Sequence, residues 1–225
     1  MKDRTLAVVS AGLSQPSSTR LLADRLAAAA VEELSKVDIR AKVDVVEVRN
    51  HAHDVTNHLL TGFASAGLQQ IIDTVAGADG LIAVTPIFNA SYSGLFKSFF
   101  DVLEAEALVD KPVIIAATAG TARHSLVLEH ALRPLLVYLR AVVVPTSVFA
   151  AADDWAAARG WRAEEHTEDQ PAPEASPGEA PLHDRIRRAA RELAVEMRHR
   201  EPTTVADPFA LTTTFDDLLA GGLNQ

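Results

Sequence analysis

The chain has no cysteine among its 225 residues. Disulfides, thiolate catalysis and thiolate metal ligands are therefore excluded. No apolar run approaches the roughly 20 residues that a membrane-spanning helix needs. Residues 1–4 include an acid and lead directly into a strand-like run, unlike a secretory signal. We therefore expect a cytoplasmic protein that does not associate with membranes.

A basic stripe is also missing. The formal net charge is −9, and residues 151–184 hold nine acids and only two arginines, so the rest of the chain is close to neutral. A nucleic-acid backbone is bound by clustered lysine and arginine. We therefore predict no nucleic-acid partner.

Two common phosphate-binding motifs are absent. The chain has no Gly-Lys-Ser/Thr of a nucleoside triphosphate loop and no G-x-G-x-x-G of a dinucleotide loop. A hydroxyl-rich segment, residues 10–20 (the first loop), lies instead between an apolar run and a helix-like segment, with Ser17 or Ser18 as a candidate N-cap. A helix N-terminus with many hydroxyl donors suits a terminal phosphate such as that of FMN. An ordinary polar turn with a good helix cap would give the same composition.

The order of strands and helices predicts an α/β fold. We predict strands over 6–10, 42–48, 80–85 and 112–118, and a last strand over 142–144 and 146–149 that is interrupted at Pro145. Helices are predicted over 19–35, 64–76, 94–103, 124–139 and 182–200. Strands that read as continuous apolar runs indicate a doubly wound parallel sheet of five strands with helices on both faces. Such a sheet binds ligands at the carboxyl ends of its strands.

We predict one domain over residues 1–200. Within it, residues 153–181 form an acidic, proline-rich insertion that we expect to be flexible. Residues 201–225 form a C-terminal tail whose apolar side chains include Phe209, Phe215, Leu218 and Leu219. We expect this tail to dock on its own subunit or on a neighbouring one.

Two further loops follow predicted strands at the same edge. In the second loop, residues 85–93, Pro86, Ile87 and Phe88 supply an apolar wall for a flavin ring, and backbone N–H groups near Phe88 and Asn89 reach its polar edge. The third loop, residues 118–124, has small and hydroxyl side chains that let the backbone approach the pyrimidine end of the ring. The three loops together predict one flavin site.

Residues 10–20, 85–97 and 118–134 carry a resemblance to the NAD(P)H-dependent FMN reductases of the flavodoxin-like superfamily, close to the reductase partners of two-component flavin monooxygenases. The resemblance covers about residues 5–150 and implies noncovalent FMN, NADPH or NADH as hydride donor, and homodimers or homotetramers. It places the phosphate on Ser10, Ser17, Ser18, Thr19 and Arg20, the ring on Pro86, Ile87, Phe88 and Asn89, and the pyrimidine edge on Thr118, Ala119, Gly120 and Thr121. The insertion at 153–181 has no obvious equivalent in the shorter family members.

The functional hypothesis is an FMN reductase that passes a hydride from NAD(P)H to FMN and supplies reduced flavin to a monooxygenase or another acceptor. Flavin chemistry needs no protein acid or base, so we predict no catalytic side chain. An aromatic content of 5% favours an exchangeable flavin. Two alternatives stay open: an FMN-bound reductase of quinones, azo dyes or metal ions, and a flavodoxin-like electron carrier without NAD(P)H turnover.

Histidines are the remaining candidates for chemistry. His124, in the third loop, is a candidate contact for the nicotinamide, with a helix-cap or surface role as the alternative. His51, His53 and His58 lie close together with Asp54 between them. This spacing is compatible with metal ligation, but three histidines on a polar loop more often bind nothing, so we predict no metal.

Overall fold

A parallel sheet runs through the centre of the molecule, in a computed structural model that describes residues 1–155 and 181–203. Its strands are β1 (Lys2–Ser10), β2 (Ile39–Glu47), β3 (Gly80–Phe88), β4 (Ser91–Tyr92), β5 (Pro112–Thr118), β6 (Val142–Val143) and β7 (Val148–Ala150). The order across the sheet is β2-β1-β3-β5-β6, with β7 also pairing with β5 and with β4 antiparallel to β3. This is the flavodoxin-like strand order, so the predicted doubly wound sheet is confirmed.

Side chains of the central strands alternate between two hydrophobic cores, one on each face of the sheet. In β1, Leu6 and Val8 face one core, and Ala7 and Val9 face the other. All four side chains are fully buried. Helices must therefore cover both faces of the sheet, as the apolar runs predict.

Six α-helices lie wholly within the described residues, and three of them begin at a serine cap. They are α1 (Ser18–Lys36), α2 (Ala52–Thr61), α3 (Ala66–Gly77), α4 (Gly94–Asp101), α5 (Arg133–Tyr138) and α6 (Leu182–Arg198). Ser17, Ser65 and Ser93 cap α1, α3 and α4 by accepting a hydrogen bond from a backbone N–H three residues on. Helices α1 and α6 pack on one face of the sheet, and α2, α3 and α4 pack on the other. None of the helices in the described ranges is long and apolar enough to cross a bilayer.

The fifth strand position is split at Pro145, as predicted. The Arg133 guanidinium donates to the carbonyls of Val144 and Pro145, both at 3.2 Å. The Glu192 carboxylate accepts from the backbone N–H and the hydroxyl of Thr146, both at 2.7 Å. Side chains thus satisfy the polar backbone groups that the sheet leaves unpaired at the break.

Three local features differ from the sequence prediction. Residues 52–61 form α2, for which no helix is predicted, and Ser91–Tyr92 turn back on β3 as a short hairpin. The helix predicted over 124–139 is divided into a 3-10 turn (Ala122–His124), a π-helical turn (Leu128–Leu132) and α5. Restarting the helix at Arg133 puts Pro134 in a first turn, where its missing N–H is tolerated. Most of the predicted insertion and tail lies outside the described residues.

A buried lysine closes the opposite end of the sheet from the loops. Lys111, which directly precedes β5, is 3% exposed, and its ammonium donates to the carbonyls of Val75 and Ala76 at 2.5 and 2.7 Å. These carbonyls lie in the last turn of α3, where a positive charge is favourable. Burial lowers the pKa of Lys111 to about 8, and the nearby Asp79 carboxylate offsets part of that shift.

We predict a pH-dependent contribution of Lys111 to stability. The pKa of Lys111 is about 8 in the folded state, and that of an unfolded lysine is about 10.4. Between about pH 8 and pH 10.4, Lys111 is therefore mostly neutral in the folded chain and mostly protonated in the unfolded chain. The free energy of unfolding of the native chain relative to Lys111→Met is therefore expected to increase by about 1–2 kcal/mol from pH 8 to pH 9.5. Urea unfolding at both pH values measures this. The exposed Lys42→Met is the charge-matched control, and an equal pH response in both variants would contradict the prediction.

Candidate functional site

The three predicted loops meet at the carboxyl ends of β1, β3 and β5 around a cavity of about 470 Å³, called here the loop cavity. Its walls come from Leu13, Ser14, Ser18, Thr19, Pro86, Ile87, Phe88, Thr118, Ala119, Gly120, Ala152 and Trp155. A larger space of about 650 Å³ lies between β2 and α3, but it is more open and none of the three loops lines it. The loop cavity is therefore the candidate site.

The first loop presents free backbone donors to the cavity. Ser17 caps α1, with its hydroxyl accepting from the N–H of Arg20 at 3.2 Å. The N–H groups of Ser18 and Thr19, the first two residues of α1, have no backbone or side-chain acceptor among the described residues. The first turn of α1 holds no acidic residue. These features suit an anion at the N-terminus of α1.

Gly12 lets the first loop close tightly. A Cβ at this position would lie 2.1 Å from the Ser17 hydroxyl oxygen and 3.1 Å from the Thr19 Cβ. The loop backbone thus approaches the start of α1 more closely than any other residue would allow.

The second loop is a hairpin that presents an apolar wall. Ile87 pairs with Tyr92 and Phe88 with Ser91, across a turn in which Asn89 and Ala90 both have positive φ. At the base, the Thr85 hydroxyl accepts from the N–H of Ser93 at 3.1 Å. The hairpin holds Phe88 at the rim of the cavity, where it is 47% exposed. A half-exposed ring at a cavity mouth is available to contact a flat ligand.

The third loop is tied to the first by a buried hydrogen bond. The hydroxyl oxygens of Thr19 and Thr118 lie 2.8 Å apart. The Ala119 N–H donates to the Ala150 carbonyl at 3.1 Å, which links the third loop to β7. Small side chains at Ala119 and Gly120 leave the backbone accessible at this wall.

A fourth wall of the cavity is missing from the sequence prediction. Ala152 and Trp155 follow β7 and line the cavity beside α1. Trp155 is 8% exposed, and the Arg25 guanidinium lies 4.9 Å from the centre of its ring, within the range of a cation–π contact. The sequence could have indicated this wall, because residues directly after the last parallel strand reach the same sheet edge as the other three loops.

Of the predicted site residues, eight line the cavity: Ser18, Thr19, Pro86, Ile87, Phe88, Thr118, Ala119 and Gly120. Six do not: Ser10, Ser17, Arg20, Asn89, Thr121 and His124. Ser10 is buried at the end of β1, and Ser17 acts as the helix cap. Asn89 occupies the hairpin turn, where its short side chain tolerates a positive φ. Thr121 directly precedes the 3-10 turn and His124 is its last residue, and both are exposed.

Arg20 is engaged by carboxylates rather than turned to the cavity. Its guanidinium lies 2.8 Å from an oxygen of Asp24 and 2.5 Å from one of Glu47. The hydrogen bond from Asp24, with further attraction from Glu47, raises the pKa of Arg20. The structure therefore gives Arg20 a role in joining α1 to β2.

The described lining of the loop cavity has no charged side chain. A phosphate would therefore meet no carboxylate, and its charge would be balanced by hydroxyls and by the N-terminus of α1. A flavin ring would meet Pro86, Ile87 and Phe88 on the opposite side. These groups fit FMN, whose phosphate and ring need a polar and an apolar end.

The clustered histidines are placed apart from the cavity. His51 Nδ1 lies 3.9 Å from an Asp54 carboxylate oxygen, and His58 Nδ1 is buried with no hydrogen-bond partner in the described part of the chain. Within residues 1–155 and 181–203, no three histidine or acidic side chains lie together as metal ligands would.

Comparison with known proteins gives a consistent result. Residues 4–156 match the family model described as NADPH-dependent FMN reductase. An FMN reductase (NADPH) of Pseudomonas aeruginosa is 39% identical over 147 residues, which cover 65% of this chain and 76% of the relative. An NADH-dependent FMN reductase of Pseudomonas putida is 37% identical over 142 residues, covering 63% and 74%.

A solved structure agrees with this assignment. The structure of an oxidoreductase from Corynebacterium diphtheriae superposes with a TM-score of 0.77 at 44% identity and covers 89% of this chain and all of that one. The family match spans β1 to the residues just after β7, and so includes every loop that lines the cavity. The chain therefore belongs to the NADPH-dependent FMN reductase family.

Proposed function

We propose that this protein is an NAD(P)H:FMN oxidoreductase whose flavin occupies the loop cavity. The observation that carries the proposal is the pairing, in one cavity, of free N–H donors at Ser18 and Thr19 with an apolar wall at Pro86, Ile87 and Phe88. Relatives named as FMN reductases support it. Those names include both NADPH-dependent and NADH-dependent enzymes, so the proposal covers either donor.

The residues of the cavity have distinct roles in this proposal. Ser14, Ser18 and Thr19, with the N-terminus of α1, bind the phosphate. Pro86, Ile87 and Phe88 hold the ring and exclude water from it, while Ala119 and Gly120 let the backbone reach its pyrimidine edge. FMN itself supplies the chemistry, which is acceptance of a hydride from the nicotinamide.

No side chain of the described lining is a general acid or base. The protein therefore contributes by orienting two reactants, which can lower a barrier by several kcal/mol.

The cellular setting belongs to the same proposal. We place the enzyme in the cytoplasm as a homodimer or homotetramer, with residues 1–200 as a single FMN-binding domain. Reduced FMN would pass to a flavin-dependent monooxygenase. Support for oligomers comes from exposed apolar side chains on the described surface, including Leu126 and Tyr138 at 65% and 84%.

We predict that purified protein oxidises NADPH or NADH in the presence of free FMN. Absorbance at 340 nm measures the rate, and its saturation with FMN distinguishes flavin as substrate from flavin as fixed cofactor. A carrier such as flavodoxin would show no FMN-dependent loss of either nucleotide, which would refute the reductase proposal. A quinone-dependent rate with FMN held at one per subunit would favour a reductase with bound flavin.

We predict that Gly12→Ala lowers affinity for FMN about tenfold. The new Cβ would push the Ser17 hydroxyl away and disturb the start of α1, a loss of about 1.4 kcal/mol in binding. Quenching of flavin fluorescence on titration measures the dissociation constant.

Two variants make this prediction specific. The double variant Gly12→Ala/Ser17→Gly removes the clashing oxygen, and a glycine cap costs only a few tenths of a kcal/mol, so most of the affinity should return. Gly94→Ala is the matched control, because a Cβ at that position would have no heavy atom within 4 Å beyond its own helix backbone and chain neighbours. Unchanged affinity in Gly12→Ala would show that the first loop does not bind the phosphate.

A further inference from the structure

The C-terminal tail leaves the described structure at one end of an open groove. This groove, called here the α3–β2 groove, lies between α3 and the edge strand β2 and has a volume of about 650 Å³. It lies on the face of the sheet that α3 covers and is separate from the loop cavity. The position of the last described residues of the chain indicates which segment could occupy the groove.

Residue Thr203 is anchored beside the groove. Its N–H donates to one carboxylate oxygen of Asp79 at 2.8 Å, and its hydroxyl donates to the Ala78 carbonyl at 3.0 Å. The other oxygen of Asp79 accepts from the N–H of Thr5 at 2.7 Å. Thr5 and Gly77 line the groove, so the last described residue of the chain shares a carboxylate with the groove wall.

A second contact holds the segment that leads to Thr203. The Arg4 side chain, 6% exposed, donates to the Arg200 carbonyl at 3.0 Å. Two independent tethers to β1 and the start of β3 therefore fix where the tail begins.

The groove runs along the whole of α3. Its α3 side consists of residues at helical spacing from one end of the helix to the other: Ala66, Gln69, Gln70, Asp73, Thr74 and Gly77. Twelve helical residues span about 18 Å. An extended chain covers that distance in about six residues, which from Thr203 reaches residues 209–210.

An unpartnered apolar patch lies beyond the far end. Leu60 and Phe63, at the end of α2 and just after it, are 80% and 82% exposed. Phe63 precedes Ala66 by only three residues, so it lies within about 10 Å of the groove's end. Large apolar side chains at this exposure favour a covering partner.

We propose that the C-terminal tail of the same chain occupies the α3–β2 groove and brings Phe209 and the following apolar residues onto Leu60 and Phe63. The 22 residues after Thr203 are long enough to do both, and they contain Phe209, Leu211 and Phe215 at and beyond the required distance. The tail would bury apolar surface on α2 while leaving the loop cavity open.

Because the chain has no cysteine, two introduced cysteines test this contact without background. Ala66→Cys/Ala210→Cys in the full-length protein is expected to form a disulfide within one chain on mild oxidation. Val31→Cys/Ala210→Cys is the control, since Val31 is exposed on α1, on the opposite face of the sheet. The first pair should cross-link about tenfold faster, because a disulfide needs Cα atoms within about 7 Å.

Non-reducing gels and peptide mass mapping separate the outcomes, and thermal melts of the reduced variants confirm that both fold. A 66–210 disulfide in a chain of monomer mass supports the proposal. The same disulfide between two chains would assign the groove to the tail of a second copy and overturn it. Equal rates in the two variants would also overturn it. None of these results depends on reductase activity.

Discussion

Parallel pairing of β1 with β3 and of β3 with β5 is the constraint on which the site depends. It aligns Ser10 with Val84 and Pro86 with Thr118, so that three chain segments leave the sheet at the same edge. The loops are far apart in sequence, and no contact within any one of them would bring them together. The buried Thr19–Thr118 hydrogen bond then sets the spacing between the first and third loops. The cavity is thus a product of sheet topology, and the loop sequences determine only what it binds.

Charged side chains lie around this cavity but not in its described lining: Arg49 donates to the Leu13 carbonyl at 3.1 Å, and Arg25 lies over the ring of Trp155. The described lining is uncharged. Arg20, which directly follows Thr19 of that lining, forms ion pairs with Asp24 and Glu47. Within the described lining, an anion would therefore meet oriented N–H groups and hydroxyls.

Sequence patterns predicted the parallel sheet and the three loops because buried parallel strands leave a strong signal in apolar residues. Pro112–Thr118 was predicted to the residue, and the break at Pro145 was expected from proline chemistry. Trp155 was missed because it falls within residues 153–181, which were predicted to be a flexible insertion, although it follows β7 closely. Arg20 was expected at the phosphate because the family resemblance implies it, and only the fold reveals that β2 brings Glu47 to it. The hairpin of Asn89 and Ala90 was missed since Asn-Ala lacks the glycine that usually marks such a turn.

The amino and carboxyl ends of the strands carry different kinds of group. At the amino ends of the strands, Lys111 caps α3 and Asp79 joins β1 to the segment that ends at Thr203. These contacts are buried or partly buried, and they connect elements distant in sequence. At the carboxyl ends, the N–H groups of Ser18 and Thr19 have no acceptor among the described residues, and the Phe88 ring is half-exposed. The loop end has a buried contact of its own, the Thr19–Thr118 hydrogen bond, which holds the first and third loops together around the cavity.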